Sequence, residues 1–171
     1  MTPDEMVGEA LAVAAEGLGN GEHPIGAVVV LGDEIVGRAH TSEKTLARRL
    51  VHADLLAMTE ADTRLGWGRR HHPLRMAVTL EPCLMCLGAA MVLGVREIYY
   101  ALESPVDGGA EIARRRKGPD EPDWFATPEM TGGIRRAESR DLYRRWCETA
   151  PPGPMRDWAE TLIKDHGDRV A

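Results

Sequence analysis

The chain of 171 residues suits one domain of ordinary size, and a hydrophobic share of 43% is enough for a real core. No apolar run approaches the ~20 residues of a membrane helix, and the acidic start Met1-Thr2-Pro3-Asp4-Glu5 lacks a basic leader region, which excludes a membrane span and points to the cytoplasm. A formal net charge of −6 argues against a tight nucleic-acid partner, and three cysteines, two of them in a Cys-x-x-Cys, form no disulfide framework.

The chain opens with a helix. Thr2 caps it, Pro3 suits its first position and Glu5 completes a capping box, while Met6, Leu11, Ala14, Ala15 and Leu18 recur at helical period until Gly19 and Gly21 end it. Ile25 to Leu31 is a continuous apolar run and reads as a buried strand. Gly32-Asp33 turns the chain into a second strand, Glu34 to His40, so the pair forms a hairpin. A loop around Thr41–Leu50 leads to a helix from about His52 to Leu65, a strand Met76 to Leu80, an apolar helix Cys83 to Leu93 and a strand Arg96 to Leu102. This order predicts an α/β layered sheet with its late strands parallel. The run Arg114-Arg115-Arg116-Lys117 reads as a solvated helix end, Gly118 to Pro128 as loop, and Met130–Ile134 as a short strand. Helices from about Ser139 to Thr149 and Met155 to Lys164, split by Pro151-Pro152-Gly153-Pro154, close the chain.

Three residues carry the chemistry. Cys83 and Cys86 lie on one turn at a helix start, where free N–H groups and the helix dipole favour thiolates. His52 stands at the start of another helix. One imidazole and two thiolates suit zinc, and three protein ligands leave a fourth position open, as in catalytic sites. A water held there is acidic enough to act as a nucleophile near neutral pH. Asp54, two residues past His52, is placed to reach that water without being a ligand. A structural zinc completed by another ligand, with Cys147 as the spare thiol, is the alternative. Cys147 in a late helix otherwise reads as a buried free thiol.

Val51-His52-Ala53-Asp54 followed by Leu80-Glu81-Pro82-Cys83-Leu84-Met85-Cys86 resembles the cytidine deaminase superfamily, whose signature is H-x-E followed by P-C-x-x-C. With the strand Pro24-Ile25-Gly26-Ala27-Val28-Val29-Val30, the pattern is most similar to the branch of tRNA adenosine, guanine and fungal-type cytosine deaminases. The resemblance implies a three-layer α/β/α sandwich with a five-stranded mixed sheet. It also implies a homodimer, zinc held by His52, Cys83 and Cys86, and a proton shuttle at position 54. It covers about residues 3–112 of a single deaminase domain 1–171, leaving a variable C-terminal third, 113–171.

Two residues depart from that pattern. Position 54 is Asp instead of Glu, one methylene shorter, and Thr41 stands where this branch has an Asn that hydrogen-bonds the base. A hydroxyl has one donor where an amide donates and accepts, so the substrate edge read here differs. Further candidate substrate contacts are His23, beside Pro24 at the mouth of the first strand, His40 next to Thr41, and Trp124 as a cap. His71 and His72 read as surface residues and Glu81 as structural. The expected activity is hydrolytic deamination of a free nucleobase, a related amino-heterocycle or a nucleoside. A tRNA adenosine deaminase and a non-catalytic zinc-bearing partner subunit stand as alternatives.

Overall fold

The protein is described from a computed structural model covering residues 1–68 and 70–164. Its first helix, α1 (Pro3–Gly19), is capped as the sequence dictates: Glu5 N–H donates to the Thr2 hydroxyl and Thr2 N–H to the Glu5 carboxylate. The hairpin β1 (Gly26–Leu31) and β2 (Glu34–His40) follows, then a single-turn helix α2 (Glu43–Leu46) inside the segment read as loop. Next come α3 (Ala53–Leu65), β3 (Leu74–Leu80), α4 (Leu84–Leu93) and β4 (Val95–Leu102). The last third adds α5 (Ala110–Arg116), β5 (Glu129–Thr131), α6 (Arg136–Thr149) and α7 (Pro154–Ile163).

The five strands form one sheet in the order β2-β1-β3-β4-β5. β1 runs antiparallel to both β2 and β3, whereas β3, β4 and β5 are parallel, so the sheet is mixed. Side chains on β1 alternate between two cores, as a period of two requires. Ala27 and Val29 pack with Ala57, Met58, Leu87 and Met91 of α3 and α4 on one face. Val28 and Val30 pack with Met6, Ala10 and Ala14 of α1 and Leu142 of α6 on the other. The result is a helix–sheet–helix sandwich.

Both helical layers approach the hairpin backbone closely. A Cβ on Gly26 would collide with the α1 backbone at Ala10 and Ala14, and one on Gly37 with the α3 backbone at Ala57 and Ala61. A third apolar cluster joins Leu80 and Leu102 at the strand ends to Tyr143, Trp146, Ala159 and Leu162, seating α6 and α7 beside the carboxyl ends of β3 and β4. No helix among the described residues is long and apolar enough to cross a membrane.

Candidate active site

His52 and Cys83 occupy the N-cap positions of α3 and α4, each with extended backbone and no side-chain cap hydrogen bond. Two helix N-termini therefore converge on one place, and Cys86, one turn into α4, completes it from below with no exposed surface. His52 Nδ1 lies 3.7 Å from each sulfur, and the two sulfurs lie 3.6 Å apart. With Zn–S of about 2.3 Å and Zn–N of about 2.0–2.1 Å, a tetrahedral ion sets its ligand atoms about 3.5–3.8 Å apart. The three residues are thus positioned to hold a metal ion, with the spacing that zinc requires. The Cys86 thiol and the His52 imidazole, both hydrogen-bonded to its sulfur, bring Cys83 down to about 4, despite partial burial. The same bond to Cys83 raises Cys86 and His52.

A cavity of about 310 Å³ opens over this trio. Asp54, in the first turn of α3, lines it and is only 4% exposed. Burial pushes its carboxyl up to about 6, against a hydrogen bond from the Cys86 thiol. Glu81 lines the floor and accepts hydrogen bonds from Ser104 N–H at 3.0 Å and Ala110 N–H at 2.8 Å. With Gly109 N–H donating to the Pro82 carbonyl at 2.9 Å, these bonds stitch the loop after β4 to the cysteine-bearing turn. That loop brings Val106 and Asp107 to the cavity. Glu81 thus braces this loop against the cysteine-bearing turn.

Thr41 also lines the cavity, but its hydroxyl is occupied with the protein. It lies 3.3 Å from the Val51 carbonyl and 3.4 Å from Glu43 Oε2, so its one proton is directed inward. His23 forms part of the wall and is only 6% exposed. Its ring stacks on Trp146 at 4.5 Å and meets Trp158 edge-on at 6.4 Å. Burial, with a smaller effect from Lys44, lowers His23 to about 4, so it is neutral at pH 7. Its Nδ1 is buried with no hydrogen-bond partner among the described residues.

His23, Thr41, His52, Asp54 and Cys83 thus meet in one cavity. His40 and Trp124 are not among its lining residues. His40 Nδ1 bonds the Thr41 carbonyl at 2.6 Å and its side chain lies against Gly17 of α1. Trp124 is 78% exposed and faces Phe125 on a 3₁₀ turn, Asp123–Phe125. The aromatic residue that reaches the cavity from the C-terminal third is Trp158 of α7, accompanied by Met155. Cys147 is buried beside Trp146 in the third cluster, apart from the metal trio, and His71 and His72 are exposed. The basic run on α5 is paired with acids: Arg114 and Arg115 with Glu111, Arg116 with Glu121, Lys117 with Glu129.

The sequence points to the loops around Thr41 and Ser104–Gly109 and to the C-terminal third as shaping the pocket, without singling out Glu43, Val106, Asp107, Met155 or Trp158. Only the last pair left a signal: an amphipathic α7 behind a Pro-Pro-Gly-Pro break, which turns the chain back on α6.

Fold and site together set three residues that could hold one metal ion beside a buried carboxylate, at the helix N-termini of an α/β/α sandwich. The chain belongs to the family described as the cytidine and deoxycytidylate deaminase zinc-binding region, whose model matches residues 2–102. A tRNA-specific adenosine deaminase of Bacillus subtilis is 40% identical over 110 residues, which are 63% of this chain and 67% of that protein. A tRNA(Ile)-lysidine synthase of Deinococcus radiodurans is 36% identical over 139 residues, but the match spans only 23% of its length. Matches to Streptococcus pyogenes adenosine deaminases span 60–64% of those proteins. Among solved structures, a tRNA deaminase studied for A-to-I editing at the wobble position has a TM-score of 0.68 at 28% identity, covering 81% of this chain and 98% of that one. The guanine deaminase of Nitrosomonas europaea shares the fold, with a TM-score of 0.67 at 22% identity over 85% of this chain and 84% of that one.

Proposed function

We propose that the protein deaminates a free nucleobase or related amino-heterocycle hydrolytically, exchanging a ring amine for oxygen and releasing ammonia. The observation that carries this reading is the cavity wall contributed by α7. Trp158 and Met155 join His23 in the cavity wall and give a flat ring apolar surface to pack against, and both come from beyond the residues the family model matches. A net charge of −6 and the acid-paired run on α5 leave little attraction for a phosphate backbone.

The roles follow from position. His52, Cys83 and Cys86 hold zinc, which when bound supplies a water acidic enough to be the nucleophile. Asp54 takes one proton from the water as the C–O bond forms and passes it to a ring nitrogen, then takes the second from the new hydroxyl and gives it to the amine as the C–N bond breaks, leaving a carbonyl and ammonia. Burial raises the Asp54 carboxyl above the ordinary carboxylate range, the direction that suits a group that must both accept and donate a proton. His23, neutral and part of the cavity wall, reads the substrate edge, and Thr41 offers its oxygen lone pairs.

A second reading, deamination of adenosine in tRNA, is favoured by the 40% identity to an enzyme of that name. One screen separates the two. The zinc-loaded protein is offered guanine, adenine, cytosine, their nucleosides, triazines, pterins and an anticodon stem-loop, and ammonia and inosine are measured. Release from a free ring supports the proposal; inosine in the stem-loop alone establishes the tRNA reading. No release from any of them, with zinc bound, assigns the chain to a non-catalytic partner role.

A further inference from the structure

We infer that Glu43 is a positioning residue for His52, holding the imidazole by its outer nitrogen so that the inner one stays aimed at the metal. This rests on the reading of His52 as a zinc ligand. His52 Nδ1 faces both sulfurs at 3.7 Å, which makes Nδ1 the ligating atom. A neutral imidazole that ligates through Nδ1 carries its proton on Nε2. Nε2 lies 3.9 Å from Glu43 Oε1, and both side chains are about one-third exposed, at 33% and 34%. A shift of the Glu43 carboxylate by about 1 Å brings the pair within hydrogen-bond length. Ligating histidines commonly make such a bond to a carboxylate, which fixes the tautomer and strengthens the ligand.

Glu43 is itself held in place. Its second oxygen lies 3.4 Å from the Thr41 hydroxyl, which also lies 3.3 Å from the carbonyl of Val51, the residue before His52. Glu43 opens α2, and the N–H groups of the next two residues, Lys44 and Thr45, donate to the fully buried Glu22 carboxylate at 3.0 and 2.6 Å. A buried acid thus pins the turn that presents Glu43. This explains why a helix of a single turn persists in the segment between β2 and α3.

The test is zinc affinity of the full chain, measured by competition with a chelator and without substrate, for the parent, Glu43→Ala and Glu43→Gln. Glu43→Ala should lose about 10- to 100-fold in affinity. Glu43→Gln, whose amide oxygen still accepts, should fall between parent and Ala. Its loss relative to the parent decides the matter should the alanine variant fail to fold. Unchanged affinity in both, with KM altered, overturns the inference and makes Glu43 a substrate contact. Parent-like zinc affinity in Cys83→Ala would instead overturn the metal assignment on which it rests.

Discussion

Position 54 holds a carboxylate one methylene shorter than the glutamate of the deaminase signature, buried beside the Cys86 sulfur. Asn matches its shape but cannot relay a proton. Asp54→Asn should therefore keep zinc and fold while kcat falls at least ~100-fold, the lower range for general acid–base catalysis. Asp54→Glu reads the fit: a site adapted to the short acid loses rate when the extra methylene crowds the water. A gain instead means the site is dimensioned for glutamate. Parent-like turnover by Asp54→Asn, followed as ammonia release, would remove the shuttle from this residue.

His23 belongs to the same scale. Its ordinary value of 6.5 is lowered to about 4 by burial, so the unfolded chain binds a proton that the folded one refuses. The sign follows: stability is intact above pH ~6.5 and declines as pH falls toward ~4, by about 3 kcal/mol for this group. His23→Gln should flatten that part of the pH dependence in urea unfolding followed from pH 7 to pH 4. An equally steep profile in the variant would place the acid sensitivity elsewhere.

The ligand set and its partner acid are legible in the sequence because each is tied to a helix start, and helix starts are announced by what surrounds them. Pro82 before Cys83 and the apolar run after it leave little choice of geometry. Glu43 is not legible, since one turn of helix shows no periodicity. For Val106 and Asp107 the sequence marks their loop, 104–109, as shaping the pocket, but a loop without periodicity does not single out the residues that the Glu81 hydrogen bonds carry to the cavity. Trp124 stands in an aromatic pair and so offers the stronger sequence signal for a cap, yet Trp158 reaches the cavity from a helix that packs on α6.

Among the elements, the β1–β2 hairpin is gripped from both sides, and its glycines mark the contacts. Gly37 faces the backbone of α3, whose N-terminus carries His52. A methyl group there meets peptide atoms that cannot turn aside as a side chain would, so overpacking reaches its upper range. Gly37→Ala should cost about 3 kcal/mol or more, a fall in Tm of roughly 6–12 °C. Because α3 must shift, zinc affinity should weaken as well. A variant that melts with the parent would show that the helix has room to slide.

The order of elements along the chain and the burial of β1 on both faces are legible in the hydrophobic pattern, because β1 reads as an unbroken apolar run; the order of strands in the sheet is not. β5 is three residues long and largely exposed, so the pattern there fixes only its neighbourhood.

At the scale of the whole molecule, zinc held by His52, Cys83 and Cys86 would link two helices and, through the turn stitched by Glu81, the loop after β4. A ligand bound only by the folded state stabilises it by mass action. Stripping the metal with a chelator should lower Tm by roughly 5–10 °C, corresponding to about 2.7 kcal/mol for zinc held at a hundred times its Kd. Cys83→Ala should abolish the difference between chelated and zinc-supplemented samples. An identical melt for the parent with and without chelator would mean that the trio binds nothing of consequence to the fold.

His52 and Cys83 stand where helices ordinarily place serine, threonine, asparagine or aspartate, and neither makes a cap hydrogen bond. A conventional cap at either position is worth about 1 kcal/mol to the metal-free chain. Where zinc is supplied, the ~2.7 kcal/mol from the bound ion outweighs that cap, so selection for thermal persistence alone would retain both ligands; only growth starved of zinc would favour a cap in their place. A descendant hardened to heat without zinc, carrying His52→Asp or Cys83→Ser, would keep the sandwich and forfeit its metal.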